Sequence, residues 1–162
     1  ILICEHDANG TMGLIVNKPL TDVSLETIWA NLGYEKKNLH LSNDNIFIGG
    51  PLASNAMFVI HSPEYVIAKK TIKVCEEISV TGIKEITDDI QKGKGPRNVL
   101  FLLGYSGWAP GQLEDEIMRD SWFVSEKIEN LIFGVDYQSK WNDALFLIGI
   151  DPSKLSSYAG SS

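Results

Sequence analysis

The most constraining feature of the sequence is the stretch 98–122, in which an apolar run leads into a glycine-rich segment and then an acidic one. Residues 99–103 are apolar without a break, and such a run predicts a strand whose two faces are both covered. Gly104, Gly107 and Gly111 predict a turn after it, because glycine adopts backbone torsions that other residues avoid. We therefore expect a strand, a turn and a helix in succession, a corner at which α/β proteins often bind ligands.

The helix after this turn is predicted to begin at Pro110, since proline lacks the N–H that would have no partner at the first helical position. Glu114, Asp115 and Glu116 then lie near the positive end of the helix dipole and stabilise it. The same carboxylates would repel a phosphate bound at this helix start. The corner thus favours a ligand held by main-chain polar groups over an anion.

Short strand and helix patterns fill the rest of the chain. The predicted strands are 1–6, 12–17, 46–48, 56–61, 71–80 and 131–135, with Asn9-Gly10 as a hairpin turn between the first two. The predicted helical faces are Leu25, Ile28, Trp29 and Leu32, capped by Asp22 or Ser24 and ended by Gly33; Ile83, Ile86 and Ile90; and Trp141, Ala144, Leu145 and Ile148, ended by Gly149, with one more short turn at Asp151-Pro152.

Consecutive strands mixed with helices predict an α+β fold rather than a doubly wound one. The 162 residues fit one domain, and no change of composition marks a second. The net charge of −7 opposes attraction to nucleic acid or to anionic lipid. There is no apolar run of the roughly 20 residues that a membrane helix needs.

Two further expectations concern the compartment and the start of the chain. Cys4 and Cys75 are far apart in sequence and lie outside any C-x-x-C pair, which favours reduced thiols in a cytoplasmic protein. The sequence begins inside an apolar run at Ile1, with no turn or cap before it. We expect upstream sequence to be missing.

Ser106 is the one nucleophile in a suggestive context. It lies in Gly104-Tyr105-Ser106-Gly107-Trp108, which is similar to the G-x-S-x-G turn of α/β-hydrolases. Trp108 stands where that motif requires its second glycine, and a hydrolase also needs a base, for which His61 is the best candidate. A hydrolase using Ser106 and His61 is therefore an alternative hypothesis, weaker than a serine in an ordinary turn.

Metal and phosphate sites are not predicted. Cys4 and His6 are two positions apart on one strand, whereas a structural zinc ion takes four ligands, usually in close pairs. The segment 92–95 has the order Lys-Gly-Lys-Gly and precedes a strand, whereas a phosphate loop needs Gly-Lys-Ser or Gly-Lys-Thr after one. We expect no metal and no cofactor.

A small-ligand pocket is the best-supported kind of site. Two glycine-rich segments expose backbone amides at turns, and aromatic and amide side chains accompany them, so a cleft can form there. The other interpretation is that these glycines only allow tight packing of turn against sheet. The predicted ligand-binding residues are Gly49, Gly50, Pro51, Gly104, Tyr105, Gly107, Trp108, Gly111 and Gln112.

At these residues the chain resembles the AlgH/YqgE family of bacterial proteins, a family of unsettled biochemical activity. The resemblance spans nearly the whole sequence and rests on several blocks together: C-E-H-D-A-N-G-T-M-G-L-I-V-N-K-P at 4–19, G-G-P at 49–51, F-V-I-H at 58–61, G-Y-S-G-W-A-P-G-Q-L-E-D-E-I at 104–117, S-W at 121–122, and the W-x-x-A-L…G-I-D tail at 141–151.

The resemblance implies one domain over 1–162, with a bulged mixed or antiparallel β-sheet flanked by helices, in the bacterial cytoplasm. It also implies that an N-terminal segment with an apolar strand precedes this chain. Family members place Ala or Thr where Ser106 stands, which weakens the nucleophile hypothesis. The family name suggests a transcriptional regulator, but the negative charge argues against direct DNA binding. The leading expectation is a non-enzymatic protein that binds a small ligand or a protein partner.

Overall fold

The structure is a computed structural model that describes residues 1–21, 23–31, 33, 46–126, 130–134 and 136–155. Its strands are β1 (Leu2–Asp7), β2 (Gly10–Leu14), β3 (Ile46–Ile48), β4 (Leu52–His61), β5 (Thr71–Lys73), β6 (Ser79–Gly82) and β7 (Val99–Trp108). Its helices are α1 (Leu25–Asn31), α2 (Ile83–Gln91), α3 (Gln112–Met118), α4 (Lys140–Leu147) and α5 (Pro152–Leu155).

Strand β7 is the centre of the fold, as its apolar run predicts. Its first half pairs parallel with β3 and antiparallel with β4, and its second half pairs antiparallel with β2. The sheet is seven-stranded, in the order β1-β2-β7-β4-β6-β5 with β3 joined to β7. Strands β1 and β5, at the two ends of this order, also contact each other. The sheet is therefore mixed, mostly antiparallel and nearly closed, and the predicted α+β class is confirmed.

Alternate residues of β7 belong to two different hydrophobic clusters, one on each face of the sheet. Leu100 and Leu102 pack with Leu14, Phe47 and Ile60. On the other face, Val99 and Phe101 pack in a second cluster that includes the side chains of α1 and α2. Each fully buried aliphatic or aromatic side chain contributes about 1.5–3 kcal/mol. The expectation that both faces of this strand are covered is confirmed.

Helices α1 and α2 cover the second face as their spacing predicts. In α1, Trp29 is buried and stands edge-on to Phe101, with ring centroids 5.8 Å apart. Of the two predicted caps, Ser24 accepts a hydrogen bond from the Thr27 N–H at 3.2 Å. The other cap, Asp22, lies outside the described residues, as does Leu32. In α2 the buried residues are Ile83, Ile86 and Thr87.

The predicted turn after residue 103 is wrong, because β7 continues as a strand to Trp108. Gly104 has φ +71°, a left-handed conformation that places a bulge in the strand. Opposite it, the pairing of β4 with β7 shifts register between Leu52 and Met57. The true turn is at 109–111, where Gly111 has φ +77°, and α3 begins at Gln112 instead of at Pro110.

Two of the predicted strands are wrong. The alternating segment 71–80 forms two strands, because the N–H of Cys75 donates to the Ile78 carbonyl at 3.1 Å and closes a turn between β5 and β6. The predicted strand 131–135 is a series of turns and bends over 130–134, and Val135 lies outside the described residues.

Helix α4 lies where its spacing predicts but is turned about its axis. Leu145 is buried, whereas Trp141, predicted to face the core, is 51% exposed. The neighbouring Lys140 is buried in its place. Gly149 ends the helix with φ +78°. Among the described residues no helix is long and apolar enough to cross a membrane.

Candidate functional site

The two glycine-rich segments of the sequence meet backbone against backbone. The Gly49 N–H donates to the Leu103 carbonyl at 2.8 Å. A Cβ built on Gly49 would lie 2.4 Å from the Gly104 carbonyl oxygen, and one on Gly50 would lie 2.1 Å from the Tyr105 carbonyl carbon. Side chains at these positions would keep the two segments apart. The glycines therefore allow close packing here, and Pro51 lies exposed at the edge of the contact.

An open cleft of about 460 Å³ lies where the β1–β2 hairpin meets the second half of β7. Residues from four segments of the chain line it, among them Glu5, Asp7, Met12, Leu52, Tyr105 and Gly107. Of the nine residues predicted to bind a ligand, Tyr105, Gly107 and Trp108 line this cleft.

The floor of the cleft follows from strand register. Glu5 pairs with Met12, and Met12 pairs with Gly107, so these residues form one row across the three strands. Gly107 leaves the row without a side chain at β7. A Cβ there would lie 3.0 Å from Leu52 Cδ1 and 3.3 Å from Tyr105 Cε2. The Tyr105 ring and Leu52 therefore stand beside the gap as walls.

The side chain of Trp108 takes part in a second cluster, with α3. Its indole N–H donates to Glu116 Oε2 at 3.0 Å, and the indole N–H of Trp122 donates to the same oxygen at 2.7 Å. The two rings are T-shaped, with centroids 5.9 Å apart. Gln112 Nε2 donates to Glu116 Oε1 at 2.9 Å. Hydrogen bonds from Trp122, Gln112 and Trp108 lower the pKa of Glu116.

Gln112 also closes the turn before α3. Its Oε1 accepts the Ala109 N–H at 3.0 Å, so both ends of this amide side chain are engaged within the protein. Gly111, the residue before it, has no atom within 4 Å of a built Cβ. These two predicted ligand residues lie beside the Trp108 cluster and are not among the residues that line the cleft.

His6 connects the hairpin to α3. Its Nδ1 lies 2.7 Å from Thr11 Oγ1, and its Nε2 lies 3.5 Å from Glu114 Oε1. Because Thr11 pairs with Trp108 across the sheet, the hairpin, β7 and α3 are joined at one place. These contacts hold two sides of the cleft, the hairpin and the second half of β7, in a fixed position.

The structure does not bring Ser106 and His61 together. Ser106 is a buried strand residue paired with Gly13, and not the tip of a turn. His61 pairs with Val99 at the other end of β7, so the two lie seven residues apart along the strand, about 23 Å at 3.3 Å per residue. His61 is itself buried, with Nε2 2.9 Å from Thr81 Oγ1. No single water bridges such a separation.

The cysteines and the segment 92–95, which the sequence raised as possible metal or phosphate sites, lie in ordinary structural positions. Cys4 is buried in the first hydrophobic cluster, and burial raises the pKa of its thiol to about 12. Neither it nor Cys75 is in a disulfide. Among the described residues, no three or more His, Cys, Asp or Glu side chains converge where they could hold a metal ion. The segment 92–95 forms the turn after α2, with Gly93 at φ +68°.

Several residues of these sites are not among the site residues that the sequence predicts, and Glu116 is predicted only to stabilise the helix dipole. Glu5 and Asp7 alternate on β1, and the hairpin pattern with its register would have placed both on the same side as Met12. Glu116 is four residues after Gln112, the spacing at which helical side chains meet. Trp122 lies beyond the helix, and nothing in the local sequence predicts that its ring returns to Trp108.

Comparison with known proteins identifies the family of this chain. The family model described as AlgH-like matches residues 1–153. The chain belongs to the AlgH-like family. A UPF0301 protein of Cereibacter sphaeroides is 39% identical over 160 residues, which cover 99% of this chain and 86% of that protein. A UPF0301 protein of Bradyrhizobium diazoefficiens is 37% identical over 166 residues, covering 99% of this chain and 78% of that protein.

Solved structures show the same fold. The solution structure of the AlgH protein from Pseudomonas aeruginosa superposes with a TM-score of 0.76 at 26% identity, over 99% of this chain and 84% of that one. A Corynebacterium diphtheriae protein, at 20% identity, superposes with a TM-score of 0.65 over 88% of this chain and 73% of that one. The resemblance to the AlgH/YqgE family, and the sheet it implied, are confirmed.

Proposed function

We propose that this AlgH-like protein binds a small ligand or a protein partner, without catalysing a reaction, in the cleft between the β1–β2 hairpin and the second half of β7. The observation that carries the proposal is the open cleft of about 460 Å³, at which Tyr105, Gly107 and Trp108 all lie. That volume is within the range of small-molecule sites, about 300–1,000 Å³.

The backbone contacts behind the cleft support this proposal. The approach of Gly50 to Tyr105 fixes the strand that carries the Tyr105 ring, and the pairing of Gly49 with Leu103 fixes the strand before the bulge. A site whose walls are already fixed loses less conformational entropy when it binds. On this proposal Gly49, Gly50 and Gly104 hold the walls, whereas Tyr105 and Gly107 touch the ligand.

A hydrolase using Ser106 and His61 is a weaker proposal. The separation of about 23 Å along β7, at 3.3 Å per residue, exceeds the reach of a base through a hydrogen bond or one water. Burial lowers the pKa of His61, and its Nε2 is already engaged by Thr81. The arrangement supports a structural role for both residues.

Direct DNA binding, the role that the family name suggests, is also a weaker proposal. The net charge of −7 repels phosphate, and the outer surface of α3 carries Glu114 and Asp115. A regulator of this family would act through a bound ligand or a protein partner. We expect a cytoplasmic location for such a role.

Thermal-shift screening against a metabolite library tests the proposal. Compounds that raise the melting temperature of the wild type should lose most of that effect in Gly107→Val, whose side chain fills the floor of the cleft. Gly107→Ala, a smaller change, should give a partial loss if the valine variant does not fold. Trp141→Ala removes an exposed tryptophan on α4 and should keep the full shift.

Two results would contradict the proposal. One is a set of hits whose affinity is the same in wild type and in both Gly107 variants. The other is turnover of a hit by the wild type that is lost in Ser106→Ala, which would restore the enzyme hypothesis.

A further inference from the structure

We propose that the ligand of this cleft is an organic cation, an amine or a guanidinium, held between the carboxylates of Glu5 and Asp7 and the aromatic wall of Tyr105. The inference rests on the proposed function and adds the chemical class of the ligand.

The two carboxylates lie at one side of the cleft. Glu5 and Asp7 alternate on β1, so their side chains leave the same face of the strand about 7 Å apart. Glu5 is exposed and makes no hydrogen bond or ion pair with any residue in the part of the chain that the structure describes. Within the described residues, Asp7 accepts hydrogen bonds from Asn9 alone, through the backbone N–H at 2.7 Å and the side-chain Nδ2 at 3.4 Å. Glu5 in particular has its full capacity to accept hydrogen bonds.

The other walls of the cleft are apolar or aromatic. Tyr105 stands edge-on to Phe58, with centroids 5.9 Å apart, which holds its ring beside the gap at Gly107. Leu52 is 43% exposed at the rim, and Met12 lies in the middle of the floor row. Aromatic rings attract amines and guanidinium groups through their negative faces, and apolar walls pack against the methylene stem of such ligands.

The sign of the charge follows from the residues that line the cleft. No Lys, Arg or His is among them. Within the described residues, therefore, no positive charge at the cleft offsets the negative charges of Glu5 and Asp7. An anion would meet these carboxylates on a protein of net charge −7. A divalent metal ion would meet only these two carboxylates, because among the described residues no group of three or more His, Cys, Asp or Glu side chains converges. An organic cation needs neither a positively charged side chain nor a full set of coordinating ligands.

The gap at Gly107 sets the depth that this cation can reach. Because a Cβ there would lie 3.0 Å from Leu52 Cδ1 and 3.3 Å from Tyr105 Cε2, even one added methyl group narrows the space between the walls. The position has no positive φ, so the substitution itself does not strain the backbone. Substitutions of Gly107 therefore reduce the volume of the cleft without changing its charge.

The experiment compares two amides that differ in charge and hardly in shape. In both compounds the α-nitrogen is acetylated and carries no charge, so arginine amide has a guanidinium as its one charged group, whereas citrulline amide has a neutral urea on a side chain of the same length. Binding of both would be measured by NMR titration of the intact chain. We expect arginine amide to bind about tenfold more tightly, about threefold from its pairing with each of the two exposed carboxylates, and we expect the difference to shrink with added salt.

Charge variants locate the interaction. Glu5→Gln and Asp7→Asn should each weaken arginine amide binding by about threefold, and the double variant by about tenfold, on the same estimate for exposed pairs. Glu77→Gln is the matched control, because Glu77 is also an exposed carboxylate but lies on the turn between β5 and β6. It should leave the affinity unchanged.

The outcomes separate this inference from the proposed function. Neutral or anionic compounds that bind the wild type, weaken in Gly107→Ala and ignore Glu5→Gln would overturn the cation and leave the cleft as the site. Arginine amide that binds no better than citrulline amide would likewise overturn the cation. Arginine amide that binds equally to wild type, Gly107→Ala and the double carboxylate variant would place the cation elsewhere and would contradict both.

Discussion

Gly50 and Tyr105 meet through their backbones, and a Cβ on Gly50 would lie 2.1 Å from the Tyr105 carbonyl carbon and 2.4 Å from the Ser106 nitrogen. Two chain segments more than 50 residues apart are thus packed as closely as backbone allows. The contact lies behind the cleft, next to the bulge at Gly104. It fixes the backbone that carries the Tyr105 ring beside the cleft.

The first prediction concerns this contact. Gly50→Ala should lower the free energy of unfolding by about 3 kcal/mol or more, because its methyl group meets backbone that cannot move aside. Gly107→Ala should cost less than about 1 kcal/mol, since its nearest neighbours are side-chain atoms that can shift. Urea denaturation of the three proteins measures both values. Equal stabilities for the two variants would refute the close contact.

The second prediction concerns Glu116, which accepts hydrogen bonds from Trp122, Gln112 and Trp108. These bonds lower the pKa of Glu116 from its usual 4.5. The carboxylate therefore stabilises the fold above pH 4.5, and that contribution is lost as the pH falls through the lowered value. Near-UV circular dichroism of the paired tryptophans should thus keep its neutral-pH form below pH 4.5.

Glu116→Leu should change that spectrum already at pH 7, because leucine has no atom that accepts a hydrogen bond from either indole N–H. Glu114→Leu is the control, since Glu114 lies on the same helix and approaches His6. A Glu116→Leu spectrum identical to that of the wild type at pH 7 would show that the two indoles do not depend on this carboxylate.

The third prediction concerns His61, which is buried and neutral. Burial lowers the pKa of His61 below 6.5. Its Nε2 faces the Thr81 hydroxyl, and the Thr81 hydroxyl faces that of Thr71 at 2.8 Å. Protonation would give the ring a second donor in a chain of groups that is already satisfied. The unfolded chain therefore binds the extra proton, and stability is lost as the pH falls below 6.5.

Free energies of unfolding measured at pH 7.5 and at lower pH test this prediction. The variant His61→Gln should lose part of the decrease in stability with falling pH. His6→Gln is the matched control: His6 lies beside Thr11 and Glu114, away from the Thr81 and Thr71 hydroxyls, so the variant should leave the contribution of His61 in place. The neighbouring Glu64 acts against the shift by favouring the charged imidazole. A wild type and His61→Gln with parallel pH dependence would contradict the buried, neutral histidine.

The fourth prediction concerns Lys140, which is 5% exposed. Its Nζ donates to the Ile132 carbonyl at 2.8 Å and lies 5.5 Å from the centroid of the Phe47 ring. Burial lowers the pKa of Lys140 to about 8. Between that value and about 10.4, the pKa of a free lysine, the unfolded state holds the proton and the folded state does not. Stability should rise with pH across this window, by about 3 kcal/mol at most.

The difference between wild type and Lys140→Met isolates this effect from the tyrosines that titrate in the same range. The variant should lack the rise. Lys84→Met replaces an exposed lysine of α2 and should retain it. Equal slopes in all three proteins would mean that Lys140 keeps an ordinary pKa.

The sequence predicts the parts of this fold that depend on local pattern. The apolar run 99–103 identifies the central strand, and Asn9-Gly10 identifies a hairpin whose register starts with Asp7 opposite Gly10. The serine at 24 caps α1 because its hydroxyl competes well for a free N–H at a helix start. Each of these features is decided by residues within a few positions of one another.

The parts that were predicted wrongly depend on distant partners. Gly104 is typical of a turn, but the segment 46–52 packs against it and β2 pairs with the residues that follow, so the strand continues through a bulge. Trp141 has the right spacing for a buried face, yet α4 buries Lys140 instead because the Ile132 carbonyl satisfies its ammonium. No local pattern reports that a carbonyl from another segment is available.

The candidate site divides in the same way. Tyr105, Gly107 and Trp108 were predicted as ligand residues, and all three lie at the cleft. Glu5 and Asp7 were not, because carboxylates on a strand are ordinary surface residues until the register places Glu5 in one row with Met12 and Gly107. Whether these residues bind a ligand remains a prediction.

The most direct test of the account is an NMR titration of the ¹⁵N-labelled chain with the compound that gives the largest thermal shift. The amide signals of Glu5, Asp7, Tyr105 and Gly107 should move most, and those of α4 and α5 should stay in place. Shifts concentrated on α4 and α5, with the four cleft amides unmoved at saturation, would contradict the claim that this cleft is where the protein binds.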